Sequence, residues 1–594
     1  MNMYVENVES QMGRGPLSLY PTPGLNLVYQ LGGAPMRGII THQARTFAVQ
    51  GTILWELLAG GGTVNRSTVP VPSDGRPVSM AGGGTQLLIA SQQRTYVFDL
   101  VANTLTEVTA NVGSPVAQVG YSDGFFLALI AGTASQSSKV QASKALDATT
   151  WPGASATVVS VFSDQAVGFF VDHREMWIFG PKAIQPYYDS GNFPFPFDII
   201  QGAYIEEGLG APFGVCKADN SLFWITSSIE RGNGKIVRAN GYQPTRVSNH
   251  ALEYALQGYS TISDCVAYSY QDQGHEFAVF SFPTAGKTWV YDAATAMWHE
   301  RAFWDTVSAT FKQHRAMFHT FNFGQHLVGD PTTGNVYQMA IPVQVGGGYQ
   351  FVSDFGQAIR RVRRAPHISR EQQYIAYREL QVDVETGLGP VPPLQGTGTP
   401  TTIYLADANG VTWAVNVSDI GDLKVAPPVG GSPNPGLLFF NDSGGDGTSW
   451  QITVSILGVL QPIPVTANPN YPLSQIMVSN TGLTIWQFFV TDLGGGLAVL
   501  KTSKTGIVTR GPQMILRWSN DSAHTWSNDH AKDCGQAGEY IKRVIWRRLG
   551  VARDRVYEIS MTDAIPWRIV DAYLKADPEY GPQERLTKEL AKRA

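Results

Sequence analysis

Charge is scarce in this chain. Only 15% of its 594 residues are Asp, Glu, Lys or Arg, against about 25% in an average soluble domain. A disordered chain combines high charge with few aromatics, so the 11% aromatic content excludes that class. Cysteine is scarcer still. Cys216, Cys265 and Cys534 are odd in number, far apart and never in a CxxC pair. That argues against a disulfide framework or a zinc site and fits synthesis in a reducing compartment such as bacterial cytoplasm. No apolar run is long enough to span a bilayer, the longest lying around Phe125 to Ala131. The opening residues carry Glu6 and Glu9 and no apolar core, so no signal peptide is expected. A basic excess is also missing. A net charge of −5 argues against gripping nucleic acid by the whole surface.

Turn formers and strand formers are abundant. There are 62 glycines and 35 prolines, which means many turns. From 36 to 345 a Gly- or Asx-containing turn repeatedly precedes an aromatic or β-branched strand. The pattern occurs near Thr52-Ile-Leu-Trp55, Thr95-Tyr-Val-Phe98, Lys139-Val140, Met176-Trp-Ile-Phe179, Gly234-Lys-Ile-Val237, Gly286-Lys-Thr-Trp-Val290 and Gly334-Asn-Val-Tyr337. Steps of roughly 40 to 60 residues are those of propeller blades, each a four-stranded sheet. Phe193-Pro-Phe-Pro-Phe197 cannot be a central strand and reads as an inter-blade loop docking its rings.

The expected architecture is all-β. An arm with a first strand covers 1–35, and a β-propeller of six or seven blades covers 36–345. A β-sandwich-like platform comprises 346–388 and 509–577, and a charged tail, helical or disordered, covers 578–594. The platform is split by an insertion at 389–508 with its own repeat. Trp413, Trp450 and Trp486 recur at spacings of 37 and 36 residues. Each is followed by Val at +4 (Val417, Val454, Val490) and Gly at +8 (Gly421, Gly458, Gly494). The reading is three β-hairpins, each pinned by one buried Trp.

Three long stretches carry a family resemblance. They are Leu380-Gln-Val-Asp-Val-Glu-Thr-Gly-Leu-Gly389, Met514-Ile-Leu-Arg-Trp-Ser-Asn-Asp-Ser-Ala-His-Thr-Trp526 and Glu539-Tyr-Ile-Lys-Arg-Val-Ile-Trp-Arg-Arg-Leu-Gly550. Shorter ones are Asn2-Met-Tyr-Val-Glu6, Tyr20-Pro-Thr-Pro-Gly24, Phe195-Pro-Phe197, Ile205-Glu206 and Gly208. Together they resemble the packaged-DNA-stabilisation proteins of short-tailed phages, the tail hub or nozzle family. The resemblance covers most of the chain except 390–508. It implies a virion subunit, homo-oligomeric and hexameric, forming a ring around the DNA exit channel below the portal. Packaged DNA is held there and passes out during ejection. The implied partners are the head-to-tail adaptor ring, tail fibres or spikes, a tail needle or plug, and duplex DNA passing through the lumen without sequence-specific binding. A near-neutral or acidic lumen suits that passage, because phosphate pairing would hold the DNA back. No cofactor, metal or catalytic residue is implied.

The remaining constellations are weighed against enzyme chemistry. GxSxG, Walker A, HExxH and GxGxxG are absent, and Gly208-Leu-Gly-Ala-Pro-Phe-Gly214 has the wrong spacing and a Pro where phosphate-facing amides are needed. Ser519-Asn-Asp-Ser-Ala-His-Thr-Trp526 looks like one Asp-box of a sialidase-type repeat, with Ala523 in place of the usual Gly. Alone, it reads as a turn in which Asp521 caps backbone N–H groups and Trp526 enters the core. A propeller acting as a glycan binder or sialidase-like hydrolase is the alternative function, but it should show several such boxes. His314, His319 and His326 lack metal-ligand spacing. Glu206 with Glu207, and Asp383 with Glu385, are bare carboxylate pairs without a third partner. Arg360, Arg361, Arg363 and Arg364, with Arg547 and Arg548, are assigned to subunit or adaptor contacts, where charge sets register.

Overall fold

The computed structural model describes residues 1–7, 17–133, 136–159, 164–227, 234–345, 348–370, 373–386, 512–535 and 541–578, and between 387 and 511 the strands alone. Two compact units result. One holds 1–387, 513–534 and 541–594; the other holds 388–512 and 535–540.

Among the described residues, seven blade sheets build the propeller. The first holds Met36–His42, Arg45–Gln50, Ile53–Leu57 and Thr63–Asn65. The next five begin at Ser79–Gly83, Val116–Ser122, Gly168–Asp172, Val215–Ala218 and Val266–Asp272, and the last at Phe318–Asn322. The seventh blade is completed by a strand from the start of the chain, Gly24–Tyr29, which pairs antiparallel with Val336–Ala340. Ring closure therefore rests on residues more than 300 positions apart. At Gly24 a Cβ would lie 2.2 Å from the Phe351 carbonyl oxygen, so the closing strand needs glycine there.

The second strand of each blade explains the apolar runs. Its residues alternate between two neighbours. Leu127 and Leu129 join Met176 and Ile178 of the fourth blade, while Phe126 and Ala128 join Leu88 and Ala90 of the second. Phe223 and Ile225 likewise meet Ala278 and Phe280, while Leu222 and Trp224 meet Trp177 and Phe179. Seven such clusters lie between consecutive blades, the last joining the seventh to the first through Leu327, Val336, Ala48 and Leu57. A strand buried on both faces must be apolar at every position, and each such side chain contributes about 1.5–3 kcal/mol.

The innermost hairpins also repeat. In six blades the first two strands are joined by two residues with positive φ: Gln43-Ala44, Asp123-Gly124, His173-Arg174, Asp219-Asn220, Gln273-Gly274 and Phe323-Gly324. This is the tight turn whose twist matches that of the strands.

Of the seven sequence marks, six fall on or just before a blade's third strand. Met176–Phe179 alone falls on a second strand, Glu175–Phe179. In the Pro-Phe segment the expectation holds for two rings only: Phe195 and Phe197 are buried, while Phe193 is 96% exposed. Phe197–Ile199 is the outermost strand of the fourth blade, an edge position that tolerates the neighbouring prolines.

The platform is a sandwich of two sheets. One orders Met3–Asn7, Leu17–Pro21, Arg568–Pro578, Ile375–Glu385 and Ile541–Arg547. The other orders Arg361–Arg364, Asp554–Met561, Gln513–Ser519 and His530–Asp533. Leu380, Val382 and Val384 of the first sheet are buried, as are Met514, Leu516, Tyr557 and Met561 of the second. The strands read from sequence at 380–385 and 514–518 thus lie in one domain, in different sheets. The first two strands of the chain belong here rather than to a free arm.

The second unit contains three three-stranded sheets: Ile403–Ala406 to Leu423–Ala426, Leu438–Asn441 to Leu460–Val465, and Gln475–Val478 to Leu497–Lys504. Each expected hairpin gains a third strand. Trp413, Trp450 and Trp486 are each the second residue of a central strand. Trp450 is 1% exposed. The tail at 579–594 lies outside the described residues.

Candidate functional site

The propeller axis is the first place to look for a channel. The first strands of all seven blades line one axial cavity of about 510 Å³. Its walls carry Ile40, Met80, Tyr121, Phe169, Phe213 and Phe318. That is the volume of a small-molecule pocket.

The arginines assigned to partner contacts separate into two groups. Arg360 is half-buried and stacks over Trp304 at 4.5 Å. Arg361 is fully buried. Arg364 pairs with the buried Glu558 at 2.5 Å, and Arg517 reaches the same carboxylate at 2.6 Å. Arg360 and Arg364 thus make contacts within the chain, and Arg361 is turned inward at the start of the strand Arg361–Arg364, which runs beside Asp554–Met561. Arg363, Arg547 and Arg548 are exposed. Arg547 pairs with Glu379 at 2.7 Å, while Arg363 and Arg548 have no ion pair among the described residues.

The Asp-box turn is present and structural. Asp521 accepts from the backbone N–H of Thr525 at 2.8 Å and from its hydroxyl at 2.6 Å. Those bonds, with one from Ser519, hold its carboxyl below the usual range. Ser522 and Ala523 both have positive φ. Trp526 does not enter the core as expected. It is half-buried, covered by the guanidiniums of Arg364 at 5.1 Å and Arg517 at 4.6 Å, because those arginines converge on Glu558 beside it.

His319 and His326 come together, while no contact joins His314 to either among the described residues. His319 Nε2 lies 3.0 Å from His326 Nδ1, and burial pushes His319 and His314 down to about 3, leaving both neutral. Among the described residues no group of three or more ligands could hold a metal ion. Glu207 pairs with Lys235, and Glu385 with Arg568 at 3.0 Å. Asp383 accepts from Gln381 at 2.6 Å. No described helix is long and apolar enough to cross a membrane.

What the sequence did not reveal is the junction between propeller and platform. Asn2 donates to the carbonyls of Ala302 and Arg360, both at 2.9 Å, and accepts from the Ala302 N–H at 2.8 Å. Glu6 meets His275 on the sixth blade, and within the platform Tyr20 accepts from Arg568 at 2.6 Å. Each partner is hundreds of residues away, so no local pattern could mark them.

Two family models match the chain: the β-propeller of bacteriophage P22 Gp10 over residues 1–343 and its β-sandwich over residues 488–577. The chain belongs to this family of phage tail hub proteins. The motif at Leu380–Gly389 lies outside both matched stretches, yet it includes much of one of the two longest strands of the sandwich. No curated protein matches the sequence. Among solved structures, the N-terminal domain of Nup159 is 9% identical, with 54% of this chain and 95% of that one covered and a TM-score of 0.34. BamB from Moraxella catarrhalis is 11% identical (57% and 97% covered, TM-score 0.32). YCF48 bound to a D1 peptide is 12% identical (55% and 98%, TM-score 0.34).

Proposed function

We infer that this chain is a non-enzymatic structural subunit of a short-tailed phage virion. Copies of it, six by the family's pattern, form a tail hub or nozzle ring around the DNA exit channel, retain packaged DNA and pass it during ejection. Family membership across both propeller and sandwich carries this reading. The apolar side chains that crowd around the small axial cavity support one specific form of it: the lumen is enclosed between copies, not within one. Exposed Arg363, Arg547 and Arg548 are then available for contacts with neighbouring copies or with the adaptor ring above. Fibres or spikes and a needle or plug are the other partners.

Particle imaging of the purified chain, alone and mixed with the adaptor, tests the proposal. A closed ring with an axial opening of duplex width is the expected result. A chain that stays monomeric in the presence of the adaptor overturns it, as does turnover of sialosides.

A further inference from the structure

The outer hairpin of the fourth blade leaves aromatic rings in water. Its strands, Ile184–Asp189 and Phe197–Ile199, are joined by residues 190–196. Phe193 in that loop is 96% exposed, Tyr188 is 45% exposed, and Tyr204 just past the hairpin is 44% exposed. The loop is braced. The Ser190 N–H donates to the Pro196 carbonyl at 2.8 Å, and the Gly191 N–H donates to Asp189 Oδ1 at 2.9 Å. Asn192 donates to the Asp198 carboxylate. Phe195 and Phe197 anchor the far side of the loop in the core between the third and fourth blades. A ring held out on a braced loop loses little freedom on binding, and aromatic anchors seated in pockets carry much of the energy of an interface.

A cavity of matching chemistry lies where the platform meets the sixth blade. It measures about 330 Å³ and is walled by Tyr4, Tyr20, Trp567, Pro21, Pro342 and Pro566, with Gln273 of the sixth blade's inner turn beside them. This is the low end of small-ligand pockets, a size for one or two side chains. The rings of Tyr4 and Tyr20 are 5.9 Å apart. The Arg568 guanidinium covers Tyr20 at 4.9 Å and pairs with Glu385 at 3.0 Å, so the two charges in this wall cancel and neither opposes an apolar guest. Trp567 is 2% exposed, and its indole N–H has no hydrogen-bond partner among the described residues. Buried polar groups normally have one, so the wall is unfinished in a single copy. Aromatic-lined grooves take proline-containing segments. Phe193-Pro194 is such a segment, exposed at both residues. The cavity of about 420 Å³ is a poorer match, because Asp305, Lys312, Arg315 and Asp330 stand in its wall and a phenyl ring offers charges nothing.

We propose that Phe193-Pro194 of one copy seats in the cavity around Tyr4, Tyr20 and Trp567 of the next. The two copies use different surfaces, so the contact is head-to-tail, the kind that closes into rings. The proposal rests on the ring reading above and names a contact that builds the ring.

Photo-crosslinking in assembled particles, with the adaptor present, tests the contact. The chain carries a photoreactive phenylalanine analogue at position 193 and is mixed with isotope-labelled parent chain. Crosslinks from position 193 of one copy to residues 20–21, 341–342 or 566–568 of another are expected. Phe193→Ala should weaken ring assembly about thirtyfold, as for an aromatic anchor at an interface. Its melting midpoint as a single copy should match the parent's, because the ring is exposed there. Rings whose crosslinks run from position 193 to any other site, the axial cavity included, overturn the contact and leave the ring reading standing. Rings that assemble as tightly with Phe193→Ala do the same. A parent chain that forms no ring with the adaptor overturns both.

Discussion

His275 Nε2 on the sixth blade lies 2.6 Å from Glu6 Oε2 on the first strand of the chain, while its Nδ1 lies 2.8 Å from Asp292 Oδ2. The ring is 5% exposed and packs on Tyr4 and Phe277. Burial alone would lower its pKa, but the hydrogen bonds and charges of Glu6 and Asp292 outweigh it, and the pKa stands above the ordinary 6.5. A raised folded-state pKa stabilises fully below the unfolded value, and the contribution is lost as pH rises through the folded value. The clamp between sandwich and propeller should therefore weaken from about pH 6.5 upward. Denaturant midpoints across pH 5 to 9 check this. His275→Asn should lose about 1.5–3 kcal/mol at the acidic end, the worth of hydrogen bonds to charged groups, and converge with the parent at the alkaline end. Parallel profiles would refute the clamp.

Asn2 makes three buried hydrogen bonds in a left-handed conformation, φ 55°. Asn tolerates that region better than Ala. Asn2→Ala strands the Ala302 N–H and adds backbone strain, for an expected loss of about 2–4 kcal/mol. Asn2→Gly removes the bonds without the strain and should cost less. Urea unfolding of both variants separates the two contributions; equal losses would show that the backbone is unstrained.

Class and order of domains were legible because burial patterns are local. A strand packed between two blades is apolar throughout, as Phe125–Ile130 is, and a central strand with a Trp at its second position recurs three times. The blade period was weak for a physical reason. The inner turns share positive φ but not residue type: Gln-Ala and His-Arg serve where a Gly- or Asx-containing turn was the expected signal. The arginine cluster misled for a similar reason. Four arginines at 360–364 read alike, but Arg361 is fully buried where the strand begins, while Arg363 and Arg364 further along it are exposed. The third strand of each inserted repeat and the stitches of Asn2, Glu6 and Tyr20 left no mark in the local pattern.

The three cysteines are all buried, and Cys216 and Cys265 are free thiols. Burial raises the Cys216 and Cys265 thiols well above their ordinary value and pushes Cys534 up to about 12. The thiolate is the reactive form, so native chain treated with iodoacetamide at pH 8 should remain unmodified, and denatured chain should take up three adducts. Mass spectrometry of the intact chain reads the count. An adduct on native protein would mean that the blade or sandwich around it opens locally.

Glu558 is buried and shared by Arg364 and Arg517, both of which cover Trp526. Glu558→Gln leaves two guanidiniums without their counter-charge. Breaking a buried pair costs about 3–5 kcal/mol; because Arg364 is half exposed and can rehydrate, the lower end is expected. Trp526 emission should shift to the red as the arginines leave the ring. Loss of stability without that shift would place the effect elsewhere in the sandwich.

Trp450 tests whether the insertion folds as its own unit. Its strand is central in the second three-stranded sheet, with Phe440 and Pro464 as its cross-strand neighbours. Truncating a buried Trp to Ala costs about 3–5 kcal/mol. Residues 388–512 pack mainly among themselves, so the loss should not spread to the propeller. Calorimetry of Trp450→Ala should show one transition moving to lower temperature while the transition of the remaining unit stays in place. Both transitions falling together would mean that the insertion melts cooperatively with the hub. Unchanged melting with loss of glycan binding would make Trp450 a sugar-stacking residue rather than an anchor. Its 1% exposure argues against that outcome, because a stacking ring must present a face to its ligand.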